Sequence, residues 1–236
     1  MSSAQTAQGV DTVAAPAQAV VASGAAVAVR KYVVELIGTF FLVFTVGTVS
    51  YLGGTLAPLA VGAALMVMIY AGGHISGGHY NPAVTIAALV RGRIGGGDAV
   101  GYWIAQLVAG VLAALVVRGM LSHVAVTTST LAGHAGAAFV AELLFTFALC
   151  YVVLNVATSR DHPVNSFYGL AIGFTVLAGA VAVGSISGAA FNPAVTLGAA
   201  TMGLFAWSTI WIYLVAQVIA GIVAGFAFRA LNPADR

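Results

Sequence analysis

Hydrophobic positions in this chain come in long blocks rather than in stripes. Residues 33–52, 100–117, 138–157, 167–183 and 208–228 are almost unbroken apolar runs, and 59–70 is a shorter one that leads into glycine, serine and histidine. A helix crossing hydrocarbon needs about 20 apolar residues, at a rise of about 1.5 Å each. The six runs therefore predict six membrane-spanning helices. Two further runs, 82–90 and 193–204, are much shorter, and each follows a stretch of small and polar residues, 72–79 and 184–190. These predict extended backbone feeding a half-helix, an arrangement tolerated at membrane depth only where the backbone is buried in protein or lines water. Residues 1–29, rich in Ala, Val, Gln and Ser and broken by Pro16 and Gly24, read as a disordered tail with no basic start for a signal peptide.

The second half of the chain repeats the first. His79-Tyr80-Asn81-Pro82-Ala83-Val84-Thr85 returns as Ala190-Phe191-Asn192-Pro193-Ala194-Val195-Thr196, an offset of 192 − 81 = 111. Ile75-Ser76-Gly77 returns as Ile186-Ser187-Gly188, and Gln106 as Gln217, in the same register. Glu35 and Glu142, each followed four residues on by Thr-Phe, are 142 − 35 = 107 apart. Three spans per half is an odd number, so one copy lies upside down relative to the other. The expected fold is an all-α membrane protein: six transmembrane helices plus two re-entrant half-helices in an inverted 3+3 repeat. The channel-like domain is expected over 30–229, with repeats at 30–118 and 137–229 and a short C-terminal tail at 230–236. Such repeats place a functional site near the midplane, on the pseudo-two-fold axis.

Asparagine is a preferred N-cap, and proline at the first helical position has a fixed φ and no amide hydrogen to leave unpaired. Asn81-Pro82-Ala83 and Asn192-Pro193-Ala194 therefore read as the starts of half-helices about 15 Å long. Entering from opposite faces, they would meet N-terminus to N-terminus. Each N-terminus carries about +0.5 elementary charge, which opposes cations at the centre. The carbonyls of Gly77, Gly78 and His79, and of Gly188, Ala190 and Phe191, would form a ladder of acceptors, with the two Asn amides as donors in the middle. That pattern suits small neutral molecules passing in file, and a water held by both Asn would break a proton-hopping chain. A third Asn-Pro-Ala at 232–234 has no apolar run behind it and lies outside the repeat register.

Composition narrows the class. The chain is 61% hydrophobic and 6% charged, with a mean hydropathy of +1.05; soluble domains are about 25% charged. That excludes an ordinary cytosolic enzyme, a disordered regulator and a nucleic-acid binder, so no nucleic acid is expected as a partner. The single cysteine, Cys150, excludes an internal disulfide. With six spans, Arg30, Lys31, Arg91, Arg93, Arg160, Arg229 and Arg236 share one face, against Arg118 on the other. Both termini are then expected in the cytoplasm.

The two Asn-Pro-Ala boxes, His74-Ile75-Ser76-Gly77-Gly78-His79 before the first, and Glu35-Leu36-Ile37-Gly38-Thr39-Phe40 together resemble the aquaporin, or major intrinsic protein, family over 31–229. The resemblance implies a homotetramer in a lipid bilayer, one pore per protomer, no cofactor, and passage of water and small neutral solutes. In the family an arginine commonly follows the second box; here that residue is Val195. Carrying over the other constriction positions gives Val61, Ala180 and Ala189, an apolar selectivity filter. Loss of a guanidinium removes five donors and should widen the neck for urea, ammonia, glycerol or peroxide. Thr196 and the short 119–137 loop depart from the glycerol-facilitator pattern. The plasma (inner) membrane is the default location, and the valine also resembles plant vacuolar-type members.

Glu35 and Glu142 allow two readings. Within spans they are expected to matter, either as acceptors for the buried donors of the lead-in loops or as proton relays in a coupled secondary transporter. The second reading is a different functional class. His79, two residues before the first box, is expected to line the cytoplasmic vestibule.

Overall fold

The computed structural model describes residues 24–235. Eight helices are present among them: α1 (Gly24–Leu52), α2 (Ala57–Ser76), α3 (Pro82–Arg91), α4 (Gly96–Met120), α5 (Ala135–Thr158), α6 (Tyr168–Ser187), α7 (Pro193–Met202) and α8 (Ile210–Leu231). All but α3 and α7 are long and apolar enough to cross a membrane. Their outward faces carry Ile104, Val181 and Phe226, exposed by 60%, 70% and 59%. Such a surface would be costly in water and matches lipid.

Helices α1–α4 and α5–α8 form the two repeats, with α1 packed along α4 and α5 along α8. The half-helices exchange: α3 packs on α8, and α7 on α4. Close approach at those crossings requires glycine. A Cβ on Gly221 would stand 2.5 Å from the Ala83 carbonyl oxygen, and one on Gly110 would stand 2.6 Å from that of Ala194. Each half-helix thus seats its first turn against a bare backbone of the opposite repeat.

Three expectations change. The lead-ins are shorter than 72–79 and 184–190, because α2 and α6 continue helically to Ser76 and Ser187. Each stops at a left-handed glycine, Gly77 (φ 90°) and Gly188 (φ 86°), whose N–H returns to the Gly73 or Gly184 carbonyl. The tail expected over 1–29 is helical from Gly24 onward, since Ala and Val there continue the first span; residues 1–23 lie outside the described residues. Nor does 230–236 hang free, although Arg236 also lies outside the described residues. Asn232-Pro233-Ala234 turns the chain so that buried Asp235 accepts from Arg91 Nη2 (2.7 Å) and the Arg160 amide (2.8 Å). Burial acts to raise the Asp235 carboxyl, but the Arg160 amide and the Arg91 guanidinium outweigh it and hold the group below its ordinary value. Arg91 itself ends α3 and lies 4.2 Å from the centre of the Phe228 ring on α8. The clasp joins the half-helix, the α5–α6 loop and the end of α8.

Candidate pore

The two half-helices begin alike. Asn81 (φ −157°, ψ 120°) and Asn192 (φ −159°, ψ 118°) are extended N-caps whose Oδ1 accepts from the amides of Ala83 (2.8 Å) and Ala194 (2.9 Å). Their amide nitrogens cross over. Asn81 Nδ2 donates to the Phe191 carbonyl and Asn192 Nδ2 to the Tyr80 carbonyl, both at 2.9 Å. An amide nitrogen carries two hydrogens, so one per Asn is left after the crossing. The expected pair of donor groups at the midpoint is therefore two single hydrogens. The Phe191 carbonyl, expected as a pore acceptor, is engaged by Asn81.

Tyr80 (φ 48°) and Phe191 (φ 50°) are left-handed, a conformation that costs a non-glycine residue about 1–2 kcal/mol. Two buried carboxylates hold them there. Glu35 Oε1 accepts from Ser76 Oγ (2.7 Å) and the His79 amide (2.9 Å), and its Oε2 from the Tyr80 amide (2.7 Å) and Gln106 Nε2 (2.8 Å). Glu142 repeats the pattern with Ser187 Oγ (2.7 Å), the amides of Ala190 (2.9 Å) and Phe191 (2.7 Å), and Gln217 Nε2 (2.9 Å). A hydrogen bond to a charged group contributes about 1.5–3 kcal/mol, enough to offset the left-handed turn. The ring hydroxyls of Tyr102 and Tyr213 then take the carbonyls of Ser76 and Ser187.

Between the Asn caps lies a space of about 30 Å³. It is lined in repeat-related pairs: Leu42 and Leu149, Val46 and Val153, Val61 and Ile172, Leu65 and Val176, Gly78 and Ala189, His79 and Ala190, Asn81 and Asn192, Val84 and Val195. A water needs about 10–15 Å³ by this measure, so about two or three fit. Branched side chains of α1, α2, α5 and α6 line much of it. Val61, Ala189 and Val195 of the expected filter line it; Ala180 does not, and α6 contributes Ile172 and Val176 instead. Ala180 sits one turn beyond Val176 on the same face of α6. Gly78, His79 and Ala190 line the space, Gly77 lines a larger vestibule beyond it, and Gly188 lines neither.

Residues 26–228 match the family model described as Major intrinsic protein. The chain belongs to the major intrinsic protein family. Similar members include the glycerol uptake facilitator protein-like 6 of Lactiplantibacillus plantarum, 41% identical over 217 residues covering 87% of this chain and 100% of that one. Nodulin-26 of Glycine max is 36% identical over 217 residues, covering 88% of this chain and 79% of that one. Among solved structures, the aquaglyceroporin from Plasmodium falciparum aligns with a TM-score of 0.76 at 23% identity, covering 88% of this chain and 98% of that one. That likeness speaks to the fold: a multi-pass membrane protein of the family architecture. Against the pattern of the family, buried Val195 leaves the position after the second box without a cation.

Proposed function

We propose that this chain is a passive transmembrane channel for water and small neutral solutes. The crossed meeting of Asn81 and Asn192 carries the reading, because it leaves one donor hydrogen per half-helix facing a water-sized apolar space. Permeants lose hydration gradually, with the Asn hydrogens and nearby carbonyls replacing part of it. The electropositive helix ends oppose cations there. Val61, Ala189 and Val195 line the space without adding charge or side-chain hydrogen bonds, and Ala180, one turn beyond Val176 on α6, extends that apolar wall. Urea, ammonia, glycerol and peroxide are the candidate solutes; glycerol is included because the L. plantarum relative is named for its uptake.

The coupled-transporter alternative needs a titrating carboxylate on the path. Glu35 and Glu142 are fully buried, each engaged by four donors, and neither lines the space. Their role is to fix the loops. The functional unit is a homotetramer with one pore per protomer, in the plasma membrane, with both termini cytoplasmic; a vacuolar-type membrane is the alternative location. The test is stopped-flow light scattering on proteoliposomes challenged with ammonia gradients at equal pH on both sides, and with water, urea and glycerol gradients with and without a proton gradient. Flux linear in solute concentration and indifferent to the proton gradient is expected. Saturation, or acceleration by the proton gradient, would contradict the channel reading.

A further inference from the structure

The paired lining of the midplane space makes its two ends nearly alike. Most pairs match an aliphatic residue with another of similar size, or Gly78 with Ala189. His79 breaks the symmetry, since its repeat partner is Ala190. One end therefore carries an imidazole where the other carries a methyl group.

Beyond the His79 end opens a vestibule of about 490 Å³, on the face that bears both described chain ends, with Lys31, Arg93, Asp98 and Tyr102 in its wall. Among the described residues, His79 and Val153 alone line both this vestibule and the midplane space. They mark where the two spaces meet.

The ring is held in place. Its Nδ1 lies 3.0 Å from Thr85 Oγ1, and it stands edge-on to Tyr102 with ring centres 5.1 Å apart. Thr85 donates its hydroxyl hydrogen to the Asn81 carbonyl (3.2 Å) and accepts from Gln106 Nε2 (3.1 Å). Its remaining lone pair is filled by a hydrogen on Nδ1, which leaves Nε2 of the neutral ring as an acceptor. In the other repeat the Thr196 hydroxyl pairs with Gln217, and Ala190 offers it no ring.

We infer that the His79–Val153 neck, rather than the apolar positions around Val195, sets the size and polarity limit for permeants. The inference rests on the channel reading above. At the Val195 end a solute meets aliphatic side chains and gains no side-chain hydrogen bond. At the His79 end it meets a ring that Thr85 and Tyr102 keep from swinging aside. The Nε2 lone pair there can accept from a water or from an N–H or O–H of a narrow solute. A solute as wide as glycerol must displace the ring.

The test measures glycerol and water flux on the same proteoliposome preparations. His79→Ala, which makes the two ends alike, raises the glycerol-to-water ratio about tenfold, a barrier change of about 1.4 kcal/mol. His79→Phe keeps the ratio low but slows water, because bulk remains and the acceptor is gone. Val195→Ala moves the ratio less than His79→Ala does. If His79→Ala carries no water, Val153→Ala opens the opposite wall and must raise the ratio in its place. An unmoved ratio in a water-conducting His79→Ala, or an equal or larger shift in Val195→Ala, overturns the inference. Absence of water flux in the native protein would instead overturn the channel reading beneath it.

Discussion

Replacing Glu142 by glutamine keeps the volume of the side chain and converts one acceptor oxygen into a donor nitrogen. Four donors converge on the carboxylate: Ser187 Oγ, the amides of Ala190 and Phe191, and Gln217 Nε2. With the new nitrogen facing Phe191 and Gln217, both of those donors lose their acceptor. Facing Ser187 and Ala190, it does less harm, because the hydroxyl can turn to accept and only the Ala190 amide is stranded. One buried donor left unmade costs about 1–3 kcal/mol, and two charge-assisted bonds reduced to neutral ones cost about 1 kcal/mol each. Relief of a buried charge offsets part of this, so a net loss of about 3 kcal/mol is expected. For a chain of this size about 1 kcal/mol moves Tm by about 2–4 °C, so Glu142→Gln should melt about 6–12 °C lower. Thermal denaturation in detergent, followed by size-exclusion fluorescence, reads this directly. Water flux per folded channel should stay close to native, because Glu142 does not line the space. An unchanged Tm with altered flux would refute the structural role and revive a transport role for the carboxylate.

Other outcomes follow from the same geometry. Val195→Arg should lower glycerol and urea flux relative to water, and also reduce proton leak, as read by a pH dye inside vesicles; faster solute flux would contradict an apolar constriction at Val195. Gly221→Val pushes a side chain toward the Ala83 carbonyl, where even a Cβ would stand at 2.5 Å. Such overpacking costs about 1–3 kcal/mol, so a lowered Tm and yield are expected, whereas an unchanged Tm would mean that α3 is not seated there. The Asp235 carboxyl is held below the ordinary aspartate value of about 3.9. The clasp's contribution is thus complete above that value and is lost as pH falls through the lower, folded one. Asp235→Asn should mimic the acid state at neutral pH, with faster hydrogen exchange in residues 159–167; equal exchange in the two proteins would show that the clasp does not restrain that loop.

The parts of this fold written locally could be read from the chain. Asn-Pro before an apolar run specifies a cap and a first turn without help from distant residues, and Asn81 and Asn192 cap as such pairs should. The offset of 111 carried the inverted topology because it is a property of order along the chain. What the sequence did not reveal depends on contacts between the halves. No local signal marks Tyr80 and Phe191 as left-handed, since aromatic residues rarely adopt that conformation; it is imposed by Glu35, Glu142 and the crossing Asn amides. Tyr102 and Tyr213, which take the loop carbonyls, stand in the same register of 111 as the boxes, so the repeat itself could have pointed to them. Ala180 was placed in the constriction by ungapped counting, whereas Ile172 and Val176 line the midplane space. The reach of a lined space along a helix face depends on the side chains opposite. The lead-in glycines at 72 and 73 suggested extended backbone, yet they belong to α2, where Gly72 makes room for the Tyr80 side chain and Gly73 lies against Tyr168.

The most direct measurement is the temperature dependence of osmotic water permeability in proteoliposomes. Water handed between two Asn amides and a short set of carbonyls should cross with a shallow temperature dependence, well below that of protein-free vesicles of the same lipid. A slope as steep as that of bare lipid would mean that the space between Asn81 and Asn192 is not a continuous path.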